Sequence, residues 1–338
     1  MQAVVLDKPG QFSVIETGYP QVLRPEEALL RIRKVGVCGT DQHAYRGRQP
    51  FFSYPRVLGH ELGAEVLEIG RNDRGIRVGD RCAIEPYLNC GHCIACRRGK
   101  TNCCSQLQVL GVHIDGGLQE RLVVPTCKLH KSEKLSYEEL ALAEPLGIGA
   151  HAVRRAQLQP DDTVAIVGLG PIGLSVLQFG SRYTSRIVGV DLAERRLSFA
   201  KHTRPDMIAV NGSARMLEQL RDSMNGDLPT VVFDCTGSPK SMMDAFRYVA
   251  NGGKLILVGL VSGQISFDDP LLHGRELTVM GSRNSTALDL QNVIRLLEAG
   301  EVNASSWVTH RAMASSVPDV FPQWMEPSVN IIKGVFEF

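Results

Sequence analysis

An apolar run, Val164–Val167, leads straight into Gly168-Leu169-Gly170-Pro171-Ile172-Gly173, and the helix-prone stretch 174–180 follows. Few folds accommodate that order. The first glycine permits a tight turn, the second lets backbone approach a pyrophosphate, and the third lets helix and strand pack closely. Free N–H groups at the start of the helix then face the phosphates. A second apolar run ends at Asp191, about 20 residues further on, where a carboxylate accepts hydrogen bonds from ribose hydroxyls and repels a 2′-phosphate. Gly168, Gly170, Pro171, Ile172, Gly173 and Asp191 are therefore candidate cofactor contacts, and NAD is favoured over NADP. Arg196, beside Arg195, is a further candidate contact and tempers that preference.

The texture around this fingerprint divides the chain. At about 150 residues per domain, 338 residues make two. The first part reads as short β-prone runs cut by Gly and Pro, such as 28–37, 63–69 and 81–85, which are all-β signals. From about Asp161, apolar runs at 164–169, 186–191, 231–235, 254–259 and 277–280 alternate with helix-like stretches. That alternation builds βαβ units and a doubly wound parallel sheet, so the fold class is α/β. A helix is expected over 287–299, and the strand-like 331–338 is expected to rejoin the β-rich part. The expected divisions are 1–150, 151–286 and 287–338.

Of nine cysteines, five fall in 90–104. An odd count with no basic, apolar and cleavable leader at the N-terminus does not suit a disulfide framework. Cys90, Cys93 and Cys96 with a fourth cysteine, Cys103 or Cys104, have the spacing of a closed tetrahedral zinc site. Reduced surface thiols at this density would be prone to oxidation. A redox pair would require a thioredoxin-like unit, of which there is no sign. Three further segments carry ligand-type residues amid glycine: Cys38-Gly39-Thr40-Asp41-Gln42-His43, Gly59-His60-Glu61 and Glu144-Pro145. Each alone reads as ordinary packing. Together they supply a thiolate, an imidazole and one or two carboxylates, the donors of a zinc that keeps a position open for substrate.

In this order, over essentially the whole chain, these motifs resemble the zinc-dependent medium-chain dehydrogenases, the alcohol and sorbitol dehydrogenase family. The resemblance implies a GroES-like β domain that carries the zinc loop, a Rossmann domain, and a C-terminal segment returning to the first. It implies two zinc ions per chain and NAD as cofactors. Cys104 completes the structural site with Cys90, Cys93 and Cys96. Cys38, His60 and Glu144 hold the catalytic zinc, and Glu61 binds it directly or in alternation with water. Thr40 takes the substrate proton, His43 passes it to solvent, and Asp41 supports the ligands from outside. Glu144 stands where the long-known alcohol dehydrogenases of the family carry a cysteine, which turns the resemblance toward the polyol and sugar-acid branches. Ionisation of the alcohol before hydride transfer implies a rate that rises with pH.

A narrower resemblance, carried by residues 49–55, 101–104, 111–113, 151–155 and 280–284, is to the L-galactonate and L-gulonate 5-dehydrogenases. L-Gulonate is sorbitol with its distal carbinol oxidised to a carboxylate, and its C5 is sorbitol's C2. One added cation would adapt the site, because an Arg fork matches a carboxylate. Arg283 is the candidate, with Arg46, Arg48 and Arg154 behind it, and Phe51 and His113 are further substrate candidates. The competing readings are a neutral polyol dehydrogenase, an L-threonine dehydrogenase and a non-catalytic zinc- and NAD-binding regulator. A formal net charge of +1, from 37 basic and 36 acidic side chains, argues against a nucleic-acid partner. No run is long and apolar enough to span a membrane, so a cytoplasmic protein with a small-molecule substrate is expected. The apolar stretch 271–280 is expected to form a sheet edge that pairs across a twofold axis, giving a homodimer or homotetramer.

Overall fold

The computed structural model describes residues 1–20, 23–212 and 215–338. Two compact units emerge, one of Met1–Glu144 with Ser285–Phe338 and the other Pro145–Asn284. The division falls inside the helix Tyr137–Ala156, at its internal Pro145, rather than at residue 150.

The first unit is built on antiparallel pairing. The long strand Glu27–Gly36 pairs with Glu61–Ile69 on one side, and Arg81–Ile84 and Leu129–Lys131 continue the sheet beyond it. On the other side it pairs with Lys333–Glu337, which runs parallel to Val308–Met313. A strand near the C-terminal end of the sequence thus sits between two others. Its apolar residues join the core around Leu30, Ile32, Leu62, Ile84, Leu129 and Phe336, all buried.

The second unit is a six-stranded, all-parallel sheet. Its spatial order is Ile208–Asn211, Ile187–Asp191, Val164–Val167, Val231–Asp234, Lys254–Leu257 and Thr278–Gly281. The central strands are buried on both faces, which is why they read as unbroken Val/Ile runs instead of alternating. The order reverses at Val164–Val167, and ligands of such sheets bind at the carboxyl ends beside that reversal.

One expectation needs correction. Of the stretch 271–280, only Thr278–Gly281 is edge strand, while Asp269–Gly274 is a helix with Pro270 in its first turn. A proline there has no N–H to lose and its fixed φ suits helix initiation, so the DDP sequence marks a helix start that apolarity alone hides. Among the described residues no helix is long and apolar enough to cross a membrane.

Candidate active site and zinc lobe

In the second unit the fingerprint glycines have separable roles. Gly168 has φ +89°, the left-handed region where glycine carries no Cβ penalty. At Gly173 a Cβ would lie 1.8 Å from the Gly168 carbonyl oxygen, so any side chain would separate helix from strand. Gly170 is different. It caps the helix Pro171–Gly180 with ordinary extended backbone, and a Cβ there would meet nothing nearer than Arg196 Nη1 at 4.0 Å. The fold does not demand that glycine, and the space it leaves at the helix N-terminus fits a pyrophosphate. Ile172 lies in the first turn of that helix. Asp191 is buried, its carboxylate accepting the Leu169 N–H at 2.8 Å and the Ala193 N–H at 2.9 Å, with Arg196 Nη1 3.7 Å away. Each oxygen keeps a lone pair for a ribose hydroxyl.

In the first unit, Cys38, His60 and Glu61 bring one donor atom each within 4.8 Å of one another. Cys38 precedes the helix Gly39–Tyr45, and Asp41 Oδ2 accepts the Cys38 N–H at 2.8 Å, fixing the turn that presents the thiol. The other Asp41 oxygen lies 3.7 Å from His60 Nδ1, and both atoms are buried without a hydrogen-bond partner. Such a carboxylate orients a ligating imidazole from behind. Gly36 makes room for the cluster, because a Cβ there would sit 2.1 Å from Glu61 Oε2.

Glu61 is fully buried and clamped by Lys333, whose Nζ donates to Oε1 at 2.7 Å and to Oε2 at 2.8 Å. Lys333 also donates to the Val37 carbonyl at 3.1 Å. Glu144 is outside the set of three, its Oε1 accepting the hydroxyl of buried Tyr87. Neither Lys333 nor Tyr87 was among the residues expected from the sequence. A single lysine in the apolar run Ile331-Ile332-Lys333-Gly334-Val335-Phe336 was the available signal for the first; nothing marked the second.

The electrostatics of this cluster call for a cation. Burial raises the carboxyl of Asp41, against the pull of His60, and pushes Glu144 up to about 7. Burial also opposes charge on His60, yet Asp41 and Cys38 outweigh it and hold the imidazole well above its usual range. Three carboxyls and a thiol thus share a buried space with one lysine and one imidazole. A divalent ion fits that donor set and supplies the missing positive charge.

Thr40 and His43 lie three residues apart on the helix Gly39–Tyr45, on one face, the first half-buried and the second exposed. Partial desolvation and the Arg46 and Arg48 guanidiniums push His43 below its ordinary value, leaving it neutral at pH 7. Phe51 is exposed and stacks on His113 with ring centroids 6.1 Å apart, and His113 Nδ1 accepts the Val109 N–H. Arg283 is exposed in the second unit, two residues past Thr278–Gly281. The structure brings Cys38, His60 and Glu61 together, and it stacks Phe51 on His113.

The four-cysteine loop forms a separate lobe of the first unit. Cys90, Cys93, Cys96 and Cys104 place their sulfurs within 4.8 Å of one another, while Cys103 is exposed. Gly91 and Gly99 take positive φ to turn the chain around them. Backbone N–H groups point at the sulfurs, from Cys90 and Gln106 to Cys104 at 3.3 Å and from Cys93 to Cys90 at 3.4 Å. Four sulfurs with no fifth donor grouped with them among the described residues suit a closed zinc site.

Two family models cover most of the chain, an alcohol dehydrogenase GroES-like domain over residues 24–134 and a zinc-binding dehydrogenase domain over 171–299. Along nearly its whole length the chain is 39% identical to the L-galactonate-5-dehydrogenase of Escherichia coli K12, covering 92% of each sequence. The chain belongs to the zinc-dependent medium-chain alcohol dehydrogenase family. Another member, the sorbitol dehydrogenase of Bacillus subtilis, is 32% identical over 83% of this chain and 81% of its own. Among solved structures, the alcohol dehydrogenase rspB of Escherichia coli CFT073, complexed with NADH, superposes with a TM-score of 0.92 at 31% identity, covering 100% of this chain and 99% of that one. The dehydrogenase is accordingly an α/β oxidoreductase with a GroES-like part and a Rossmann-like parallel sheet.

Proposed function

We propose that this dehydrogenase oxidises the C5 hydroxyl of an L-galactonate- or L-gulonate-type sugar acid to the ketone, with hydride transfer to NAD. The observation that carries the reading is the set of half-buried Cys38 with buried His60 and Glu61, with Glu144 electrostatically linked to it, in a chain 39% identical to an L-galactonate-5-dehydrogenase. Cys38, His60, Glu61 and Glu144 would hold a zinc ion, and Cys90, Cys93, Cys96 and Cys104 a second. The zinc of the first set, when bound, acts as a Lewis acid on the alcohol oxygen.

The chain's own residues do the rest. The N–H groups after Gly170 and the Asp191 carboxylate hold NAD, the carboxylate disfavouring a 2′-phosphate. The Thr40 hydroxyl accepts the substrate proton and hands it toward His43, which is neutral at pH 7 and able to take it to solvent. Asp41 faces His60 and orients it, and Lys333 holds both oxygens of the fully buried Glu61 carboxylate in place. Arg283 is assigned to the distal carboxylate of the substrate. The exposed edge strand Thr278–Gly281, with Val279 on the surface, is assigned to a twofold pairing of copies that gives a homodimer or a tetramer of dimers. Light scattering that shows a monomer removes that assignment.

The test is NADH formation by zinc-loaded enzyme with L-galactonate, L-gulonate and sorbitol side by side, and a chelator-treated control. A kcat/KM at least about tenfold higher for an aldonate, a difference of about 1.4 kcal/mol at the transition state, supports the reading, and Arg283→Ala should abolish the preference. Preference for sorbitol instead establishes the neutral-polyol reading, which the identity to a sorbitol dehydrogenase favours.

A further inference from the structure

A buried ionic network lies beneath the four-cysteine lobe and takes no part in the chemistry described above. Lys128, at the end of the turn Thr126–Lys128, is buried, and its Nζ donates to Glu85 Oε1 at 2.6 Å and to Asn89 Oδ1 at 2.8 Å. The backbone closes the same pair, the Glu85 N–H donating to the Lys128 carbonyl at 2.8 Å. The remaining Glu85 oxygen lies 3.5 Å from His130 Nε2, also buried. Asn89, immediately before the first cysteine, donates its Nδ2 to Cys96 Sγ at 3.6 Å.

An asparagine amide offers one acceptor end and one donor end, and an ammonium can only donate. Lys128 therefore fixes which way the Asn89 amide points: oxygen toward the ammonium, NH2 toward sulfur. The other N–H···S contacts named above come from backbone inside the lobe, so Asn89 is the side-chain amide, among those described, that ties a cysteine sulfur to the sheet. Polarisation of its carbonyl by the ammonium also makes its NH2 a better donor. Four thiolates around a divalent ion leave the loaded lobe with two net negative charges, and a cation one amide away offsets them.

We propose that Lys128 is a positioning residue for the zinc lobe, acting through Asn89 on Cys96 to slow the loss of the metal. The proposal rests on the reading that the four cysteines hold zinc. Its test uses the full chain with Cys38→Ser, so that the lobe's zinc is followed alone, and times metal release into a chelating dye. Asn89→Leu and Lys128→Met should each release zinc on the order of tenfold faster than the parent. The double variant should release it no faster than Asn89→Leu alone, because the lysine acts through the amide. Cobalt-loaded protein should show a shifted sulfur-to-metal charge-transfer band in both single variants, a signature that loosened packing elsewhere would not produce. Release within twofold of the parent, or additive effects in the double variant, overturns the proposal. If Lys128→Met does not fold, Lys128→Met with Glu85→Gln, which leaves no unpaired buried carboxylate, is compared with Glu85→Gln alone in the same release and cobalt measurements. A parent that holds no zinc defeats the reading of the lobe itself, and the proposal with it.

Discussion

The two ligand clusters of the first unit solve one problem in opposite ways. The tetracysteine lobe takes four identical donors from a single loop and quiets their charge with neighbouring N–H groups. The Cys38 cluster takes unlike donors from two separate segments, at residue 38 and at residues 60 and 61, and balances them with a lysine at 333. A closed site needs only local geometry. An open one needs ligands whose surroundings, rather than their number, control the charge, and those surroundings come from the whole sheet.

The difference predicts how each fails. Graded chelation should abolish turnover while the lobe retains its zinc, seen as complete loss of NADH formation before the slower phase of metal release. Loss of the lobe's metal first would reverse the assignment of open and closed sites. Next in size, Lys333→Met leaves the Glu61 carboxylate buried and unpaired, which should cost about 3–5 kcal/mol in denaturant-induced unfolding. Adding Glu61→Gln should restore much of that loss. If Lys333→Met is neutral, the ion pair does not balance the cluster.

Smaller effects should follow at the edges of the comparison. Gly36→Ala drives a methyl into Glu61 Oε2 and should cost about 1–3 kcal/mol, whereas Gly91→Ala, with no atom within 4 Å of its Cβ, strains only its own backbone. Thiols extend the contrast. Cys82, buried in the strand Arg81–Ile84, is pushed up to about 12 by desolvation, while N–H donors draw Cys93 down to about 5. Metal-stripped enzyme should thus be alkylated at Cys93 at pH 7 and spared at Cys82. Because the folded Cys82 value lies above its ordinary 9.0, the stability it contributes is complete below pH 9 and lost as pH rises toward 12. Cys82→Ala should flatten the melting temperature over that range.

Legibility in the sequence follows the same division. The glycine fingerprint and the cysteine spacing are local, so both were legible as motifs, but spacing left the fourth cysteine open between Cys103 and Cys104, and it is the fold that turns Cys104 inward and Cys103 outward. The parallel strands were readable because burial on both faces leaves continuous apolar runs. Lys333 and Tyr87 were not, since each acts on a carboxylate far away in sequence and neither carries a pattern of its own. The helix Asp269–Gly274 was hidden for a different reason: its leucines suggest a strand, and only the preceding Asp268 and Pro270 show otherwise.

The place of Lys333–Glu337 within the sheet bears on how the enzyme is made. Glu61 and Lys333 are separated by 272 residues, and at ribosomal speeds of about 5–20 residues per second that interval lasts on the order of tens of seconds. The entire parallel sheet of residues 145–284 emerges within it. The nascent chain therefore has a finished nucleotide half beside a first half whose central strand still lacks a neighbour and whose deepest carboxylate still lacks its counterion. Occupancy of that open sheet edge during synthesis, by a chaperone or by a second nascent chain, is a hazard that the arrangement of the finished fold imposes on its own assembly.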